Sequence, residues 1–297
     1  MPEALTPLFS KAPWWWSRPA TRWLLISTLL AVAGLYGLPE WTDNPLLHER
    51  SPGPLLEQAR LRGKLVVGVR EYSRPSMPGA PVRREPDSVD AALAQALGRY
   101  LKVPVEMLGL ASDEREAALR ERQVDVLITG ATEPAARTAV PVPASAVHGR
   151  GALIALRTLA LPEPEALSGH SVCLAEGSPY HLPISKRGGL VRNHPSSLQA
   201  ATAFMAGECD VLAEDLRLVE WLLQQPDWRF YRQLPFEVRQ ETGGYVQLPD
   251  TEPQTVTWLA AALRDWQRQG LQDQALGQRI SDFGLDMLKL ENGLVCH

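Results

Sequence analysis

The segment LRERQVDVLITGATEPAAR, Leu119 to Arg137, holds a helix end, a short buried strand and a polar turn that delivers an arginine. Val124, Val126, Leu127 and Ile128 form the apolar run, and Thr129, Gly130, Ala131 and Thr132 leave it as a turn-prone cluster. Small hydroxyl and glycine residues at a strand's C-terminus expose backbone N–H groups, and Arg137 adds a two-pronged donor. Together they make a seat for a carboxylate. A second half-site, Asp210 to Asp215, ends another short strand with an acid. One seat for an anion and one for a cation suggest a zwitterion.

Outward from this segment the chain alternates. Lys64 to Val69 (KLVVGV) reads as a buried strand, Ser88 to Leu101 as an amphipathic helix, and Val103 to Leu108 as a second strand. Asp113 to Arg122 follows as a helix and Val124 to Ile128 as a third strand, a β-α-β-α-β order that predicts a parallel sheet. Gly151 to Leu156 (GALIAL) is long enough to cross from one lobe into another. The pattern then restarts with Ser171 to Ala175 as strand, Ser196 to Ala206 as helix and Asp210 to Ala213 as strand. Gly243 to Leu248 reads as a returning strand, and Thr255 to Gln269 and Leu271 to Ile280 as closing helices. Two α/β halves joined by crossing strands make a cleft, where such sheets bind ligands.

Five pieces carry a resemblance: GKLVVGV, VDAALAQAL, ALRERQVDVLITGATEPAAR, ALSGHSVCLAEGSP and AFMAGECDVLAED. In that order, over roughly residues 60 to 285, they resemble bacterial solute-binding protein family 3, the periplasmic amino-acid-binding proteins of ABC transporters. The resemblance implies a two-lobed periplasmic-binding-protein-like (type II) α/β fold. It implies that Arg137, Thr129, Gly130 and Thr132 hold the ligand's carboxylate, that Asp215 holds its ammonium, and that Ser178 at a helix start adds a further contact. The pattern breaks after the first strand, which continues as Arg70, Glu71, Tyr72, Ser73, Arg74, Pro75, Ser76 in place of an acid and an aromatic-Pro-aromatic element. The groups that would touch a ligand's side chain are therefore altered, and the chain reads as a divergent member.

Each site residue also has a plainer reading. Arg137 suits a surface cap on the helix begun by Glu133 and Pro134, and Thr132 and Asp215 suit helix N-caps. Ser178-Pro179 suits a helix start without a ligand. Tyr72 is either a stacking platform in the cleft or a loop aromatic on the core. Arg70 either selects a second acidic group on the ligand or makes a lobe–lobe ion pair.

The N-terminus stands apart. Trp23 to Leu38 is uncharged, with Lys11, Arg18 and Arg22 before it and Glu40 and Asp43 after it, which sends everything beyond residue 40 outside. Ala31-Val32-Ala33 suits a cleaved signal peptide. The longer apolar run and Trp14, Trp15, Trp16, Trp23 and Trp41 suit an uncleaved anchor, the reading carried forward here. The expected organisation is a leader over 1–22, an anchor or signal peptide over 23–41, a tether over 42–60, lobe 1 over 61–153, lobe 2 over 154–242, and a return to lobe 1 with C-terminal helices over 243–297. The expected location is the periplasm, anchored in the inner membrane.

A net charge of −4 and no basic stripe argue against nucleic acid. Of the three cysteines, Cys173 and Cys209 border strands of the same half, so a bridge between them is open, with buried thiols as the alternative. The six histidines form no clustered ligand spacing, so no metal is expected, and no cofactor. The expected function is non-catalytic capture of a small zwitterionic or carboxylated solute for transport or sensing, with an inner-membrane ABC permease or another membrane protein as partner. One alternative is a degenerate binding-protein fold serving as a protein-interaction or accessory module. The other is a cyclohexadienyl-dehydratase-like enzyme using Glu176 or Glu214 as general acid.

Overall fold

Leu65, Val67 and Val69 are fully buried on one side of their strand, and Gly68 lies close under Leu127 and Leu110 on the other. Such a run, apolar on both faces, forms the centre of a sheet. The computed structural model describes residues 51–74, 83–132, 139–142, 150–239, 243–249 and 252–294. Their elements, in order, are α1 (Pro54–Arg62), β1 (Leu65–Arg74), β2 (Arg83–Pro86), α2 (Ser88–Leu101), β3 (Val105–Leu110), α3 (Arg115–Arg120), β4 (Val126–Thr132), β5 (Ala139–Val142), β6 (Gly151–Leu156) and β7 (Ser171–Ala175). They continue as α4 (His181–Lys186), β8 (Leu190–His194), α5 (Ser197–Met205), β9 (Val211–Asp215), α6 (Leu216–Leu222), β10 (Tyr231–Val238), β11 (Gly243–Gln247), α7 (Pro253–Arg268) and α8 (Leu271–Leu294).

Two sheets result. The first runs β2-β1-β4-β11-β5, with β3 also paired to β1; the second runs β10-β6-β9-β7-β8. The chain therefore passes to the second sheet between β5 and β6 and returns between β10 and β11. The first sheet is mixed rather than parallel as expected: β1 pairs in parallel with β3 and β4, whereas β2, β11 and β5 join antiparallel. The returning strand and a short edge hairpin add the antiparallel pairs. β6 lies wholly in the second sheet, between β9 and β10, and does not cross from the first.

Each sheet is covered by helices for the reason its sequence gives. Helix α2 begins where the Asp87 side chain accepts from the backbone N–H groups of Val89 and Asp90, and it buries Val89, Leu93, Ala96, Leu97 and Tyr100 against the first sheet. In β6 the period of two sends Ala152 and Ile154 to one face and Leu153 and Ala155 to the other. The former pack with α5, α6 and Trp228; the latter pack with Val172, Leu174 and Ile184. Cys173 and Cys209 form a disulfide, so the open alternative resolves to the bridge.

The C-terminal helix departs most from expectation. It was expected to stop at Ile280 and runs on to Leu294. Ala275 and Leu276 belong to the core of the first sheet, and Phe283 to a core of the second, with Ile280, Met287 and Leu290 beside it. A helix rises about 1.5 Å per residue, so the second half of α8 reaches the other lobe. Its apolar contacts there hold Gly284 inside a helix.

Among the described residues no helix is long and apolar enough to cross a membrane. The Trp23 to Leu38 segment, with the leader and anchor expected around it, lies outside the described residues.

Candidate functional site

Four strands meet where the two sheets face each other. β1 delivers Arg70 and β4 delivers Thr129 and Gly130 from within their lengths, β7 leads into Glu176, Gly177 and Ser178, and β9 ends in Glu214 and Asp215. Gly130 and Gly177 both take positive φ, 75° and 70°. A Cβ on Gly130 would stand 2.5 Å from the Gly177 carbonyl oxygen, so only glycine lets the two backbones approach this closely.

Two arginines cross the junction. Buried Arg70 donates from Nε and Nη2 to the two carboxylate oxygens of Asp90, each at 2.7 Å, and from Nη1 to the Glu176 carbonyl oxygen at 2.6 Å. A guanidinium with a bidentate carboxylate partner is held in one orientation, which aims its remaining prong at the second lobe. Arg115 donates to Glu176 Oε1 at 2.8 Å. Across the junction Arg70 makes a hydrogen bond to a backbone carbonyl, whereas its ion pairs, with Asp87 and Asp90, lie within its own lobe and are not the lobe–lobe ion pair of the sequence reading.

Behind these contacts lies a cavity of about 10 Å³, room for about one water molecule, bordered by Arg70, Glu176, Tyr180, Glu214, Asp215 and Arg279. Asp215 caps α6 through Oδ1, which accepts from the Arg217 N–H at 3.0 Å. Its Oδ2 is buried and has no hydrogen-bond partner among the described residues, and the same holds for Glu214 Oε1 and the Tyr180 hydroxyl. The N-cap reading of Asp215 thus accounts for one carboxylate oxygen and leaves the other. Burial pushes the Asp215 carboxyl up, and the neighbouring Glu214 adds to this over the opposing bond from Arg217. Burial likewise drives the Tyr180 phenol well above its ordinary range, reinforced by Asp215 and Glu214.

Arg279 enters the cavity from α8 and donates to the Ser197 hydroxyl. Burial opposes its charge, but Asp87 and Glu214 more than compensate and raise its pKa. Asp87 in turn is buried, which alone would raise its carboxyl; Arg70, Arg279 and two backbone N–H groups bring it down to about 2. Nothing in the sequence around Arg279, GQRISD, marks it as a site residue.

The remaining expected residues scatter. Ser178 Oγ accepts from the Tyr180 N–H at 3.3 Å, a turn contact at the cavity edge. Thr129 is buried within β4, and Thr132 at its end stands opposite Gly244 in the sheet register. Tyr72 is half-buried on β1 opposite Glu85, with the Arg74 guanidinium 6.0 Å from its ring centre; burial and Asp87 push its phenol up to about 12. Arg137 lies outside the described residues. Away from the junction, His194 Nε2 comes to 3.2 Å from Cys173 Sγ, a proximity that the spacing in sequence conceals.

No family model and no curated protein sequence matches the chain. Solved structures do resemble it. The amino-acid ABC transporter substrate-binding protein AbpA from Streptococcus pneumoniae, bound to L-arginine, superposes with a TM-score of 0.55 at 15% identity, over 76% of this chain and 98% of that one. An ancestral arginine-binding protein bound to arginine gives 0.50 at 20% identity, over 73% and 98%. The ancestral amino-acid-binding protein AncCDT-1, a precursor of cyclohexadienyl dehydratase, gives 0.53 at 16% identity, over 76% and 100%. The chain has the two-lobed α/β fold of these amino-acid-binding proteins.

Proposed function

We propose that this chain is an exported solute-binding protein that takes a small amino-acid-like solute between its lobes, its cationic end directed to Asp215 and Glu214. The observation that supports this reading is the set of three buried, unpartnered polar atoms (Asp215 Oδ2, Glu214 Oε1 and the Tyr180 hydroxyl) bordering one cavity at the strand ends. Buried acceptors without partners are costly, by about 1–3 kcal/mol each, and a bound cation relieves that cost. Arg137, with Thr129, Gly130 and Thr132, is the proposed seat of the carboxylate. Periplasmic placement, anchoring by the Trp23 to Leu38 segment and delivery to an inner-membrane permease belong to the same proposal.

Entry of a solute requires the lobes to part, breaking the Arg70–Glu176 and Arg115–Glu176 contacts. Those contacts and the small cavity favour a second reading, in which the fold stays shut and serves as an accessory module. Calorimetric titration of the full chain and of Asp215→Asn with lysine, ornithine, arginine and glutamine separates the two. Asparagine still caps α6 but carries no charge, so the solute-binding reading expects at least a tenfold loss of affinity in a folded variant. Equal affinities, or no binding by the parent chain, count against it.

A further inference from the structure

We infer that the acidic pocket at the lobe junction is a guanidinium site blocked by the chain's own Arg279, which lines it and fills its space without bonding its free acceptors, so that a free solute must displace it. The inference builds on the solute-binding reading above and specifies what competes for that site.

Position on the helix is the first argument. Leu276 and Phe283 are buried in the cores of the first and second lobes, and Arg279 lies between them at one-turn spacing on the same stripe of α8. A charged residue on an apolar stripe anchored at both ends has little freedom to swing to solvent. Its side chain is directed into the junction, where it donates to Ser197 of the second lobe and borders the cavity with Glu214, Asp215 and Tyr180.

Complementarity is the second. A guanidinium carries five N–H donors in a planar fork and accepts nothing. The pocket wall is its counterpart: two buried carboxylates and a phenol hydroxyl with acceptor capacity unspent. Asp87 and Glu214 favour the charge of Arg279 despite burial. Space is the third argument. With Arg279 in place about 10 Å³ remains, enough for about one water molecule and too little for an amino acid. Withdrawal of Arg279 would take a nearby positive charge from buried Asp87 and Glu214 unless another cation replaced it. Because α8 is anchored in both lobes, exchange of the resident guanidinium for a free one also loosens the strap between them.

The test uses the full chain and its Arg279→Ala variant, with methylguanidinium as probe and methylammonium and sodium chloride as controls. The variant should melt at a lower temperature than the parent and recover part of the loss in millimolar methylguanidinium, but not in equal concentrations of either control. The parent should not respond. By calorimetry methylguanidinium should bind the variant at least tenfold more tightly than the parent. A variant indifferent to methylguanidinium, or a parent that binds it equally well, overturns the inference. If Arg279→Ala does not fold, Arg279→Lys keeps the charge without the fork, and the same methylguanidinium response is required of it. An amino acid that binds parent and variant with equal affinity overturns this inference and leaves the solute-binding proposal standing. Rescue of the variant while the parent takes up no amino acid does the reverse.

Discussion

Asp87 shows how one side chain serves both a helix and the lobe junction. Its Oδ1 accepts from Val89 N at 3.0 Å and Asp90 N at 3.1 Å, starting α2, and lies 3.5 Å from Arg70 Nη2. The carboxyl is lowered from the ordinary 3.8 to about 2, with Arg70 and Arg279 outweighing burial. A depressed pKa contributes stability that is present above the unfolded value and is lost as pH falls through the folded one. Asp87→Asn keeps the cap and loses the charge, so it should cost about 2 kcal/mol at pH 7. The difference should shrink between about pH 4 and pH 2; urea unfolding across that range checks it, and a pH-independent difference would contradict the linkage. Asp215 works in the opposite sense. Its raised pKa contributes stability below the unfolded value and loses it as pH rises through the folded one.

At the scale of elements, the disulfide staples two neighbouring strands of the second sheet, and α8 fastens parts that the sheets alone leave separate. Cys173 in β7 and Cys209 just before β9 close a loop with a sequence separation of 36. Loop-closure entropy for that separation is about 4 kcal/mol. Cys209→Ser should lower unfolding stability by roughly that amount, and parent protein treated with a reducing dithiol should fall to the variant's stability. A loss below about 1 kcal/mol would mean that the reduced chain keeps the loop closed by packing. The strands that sequence reveals are β1, β3, β4, β6, β7, β9 and β11, which lie close to where their apolar residues place them. β8 (LVRNH) escapes because it is an edge strand, largely exposed, whose pairing with β7 supplies what its side chains do not. β10 escapes because Pro235 interrupts its pattern, and a register shift in its pairing with β6 accommodates the proline. The full length of α8 escapes because Ser281, Asp282, Gly284 and Asp286 look like a helix end. Contacts with the second lobe decide otherwise.

At the scale of the whole molecule, Glu176 is one point where the lobes are joined: its carbonyl takes Arg70 and its carboxylate takes Arg115. The strand ends that form the junction are legible in sequence, and so is Asp215 as an acid closing β9. The contacts of Arg70 with Glu176 and of Arg279 with Ser197 are not, because each spans more than eighty positions of the chain. Only folding brings such charges together, and no local spacing encodes it. The most direct measurement is a thermal-shift screen of the full chain against amino acids, guanidinium compounds and small carboxylates. A solute at one hundred times its dissociation constant adds about 2.7 kcal/mol, a rise of several degrees at roughly 2–4 °C per kcal/mol. Solute capture between the lobes requires such a rise with a cation-bearing, amino-acid-like compound and its loss in Asp215→Asn. A flat response across the panel would contradict it and leave the shut, accessory form of the fold.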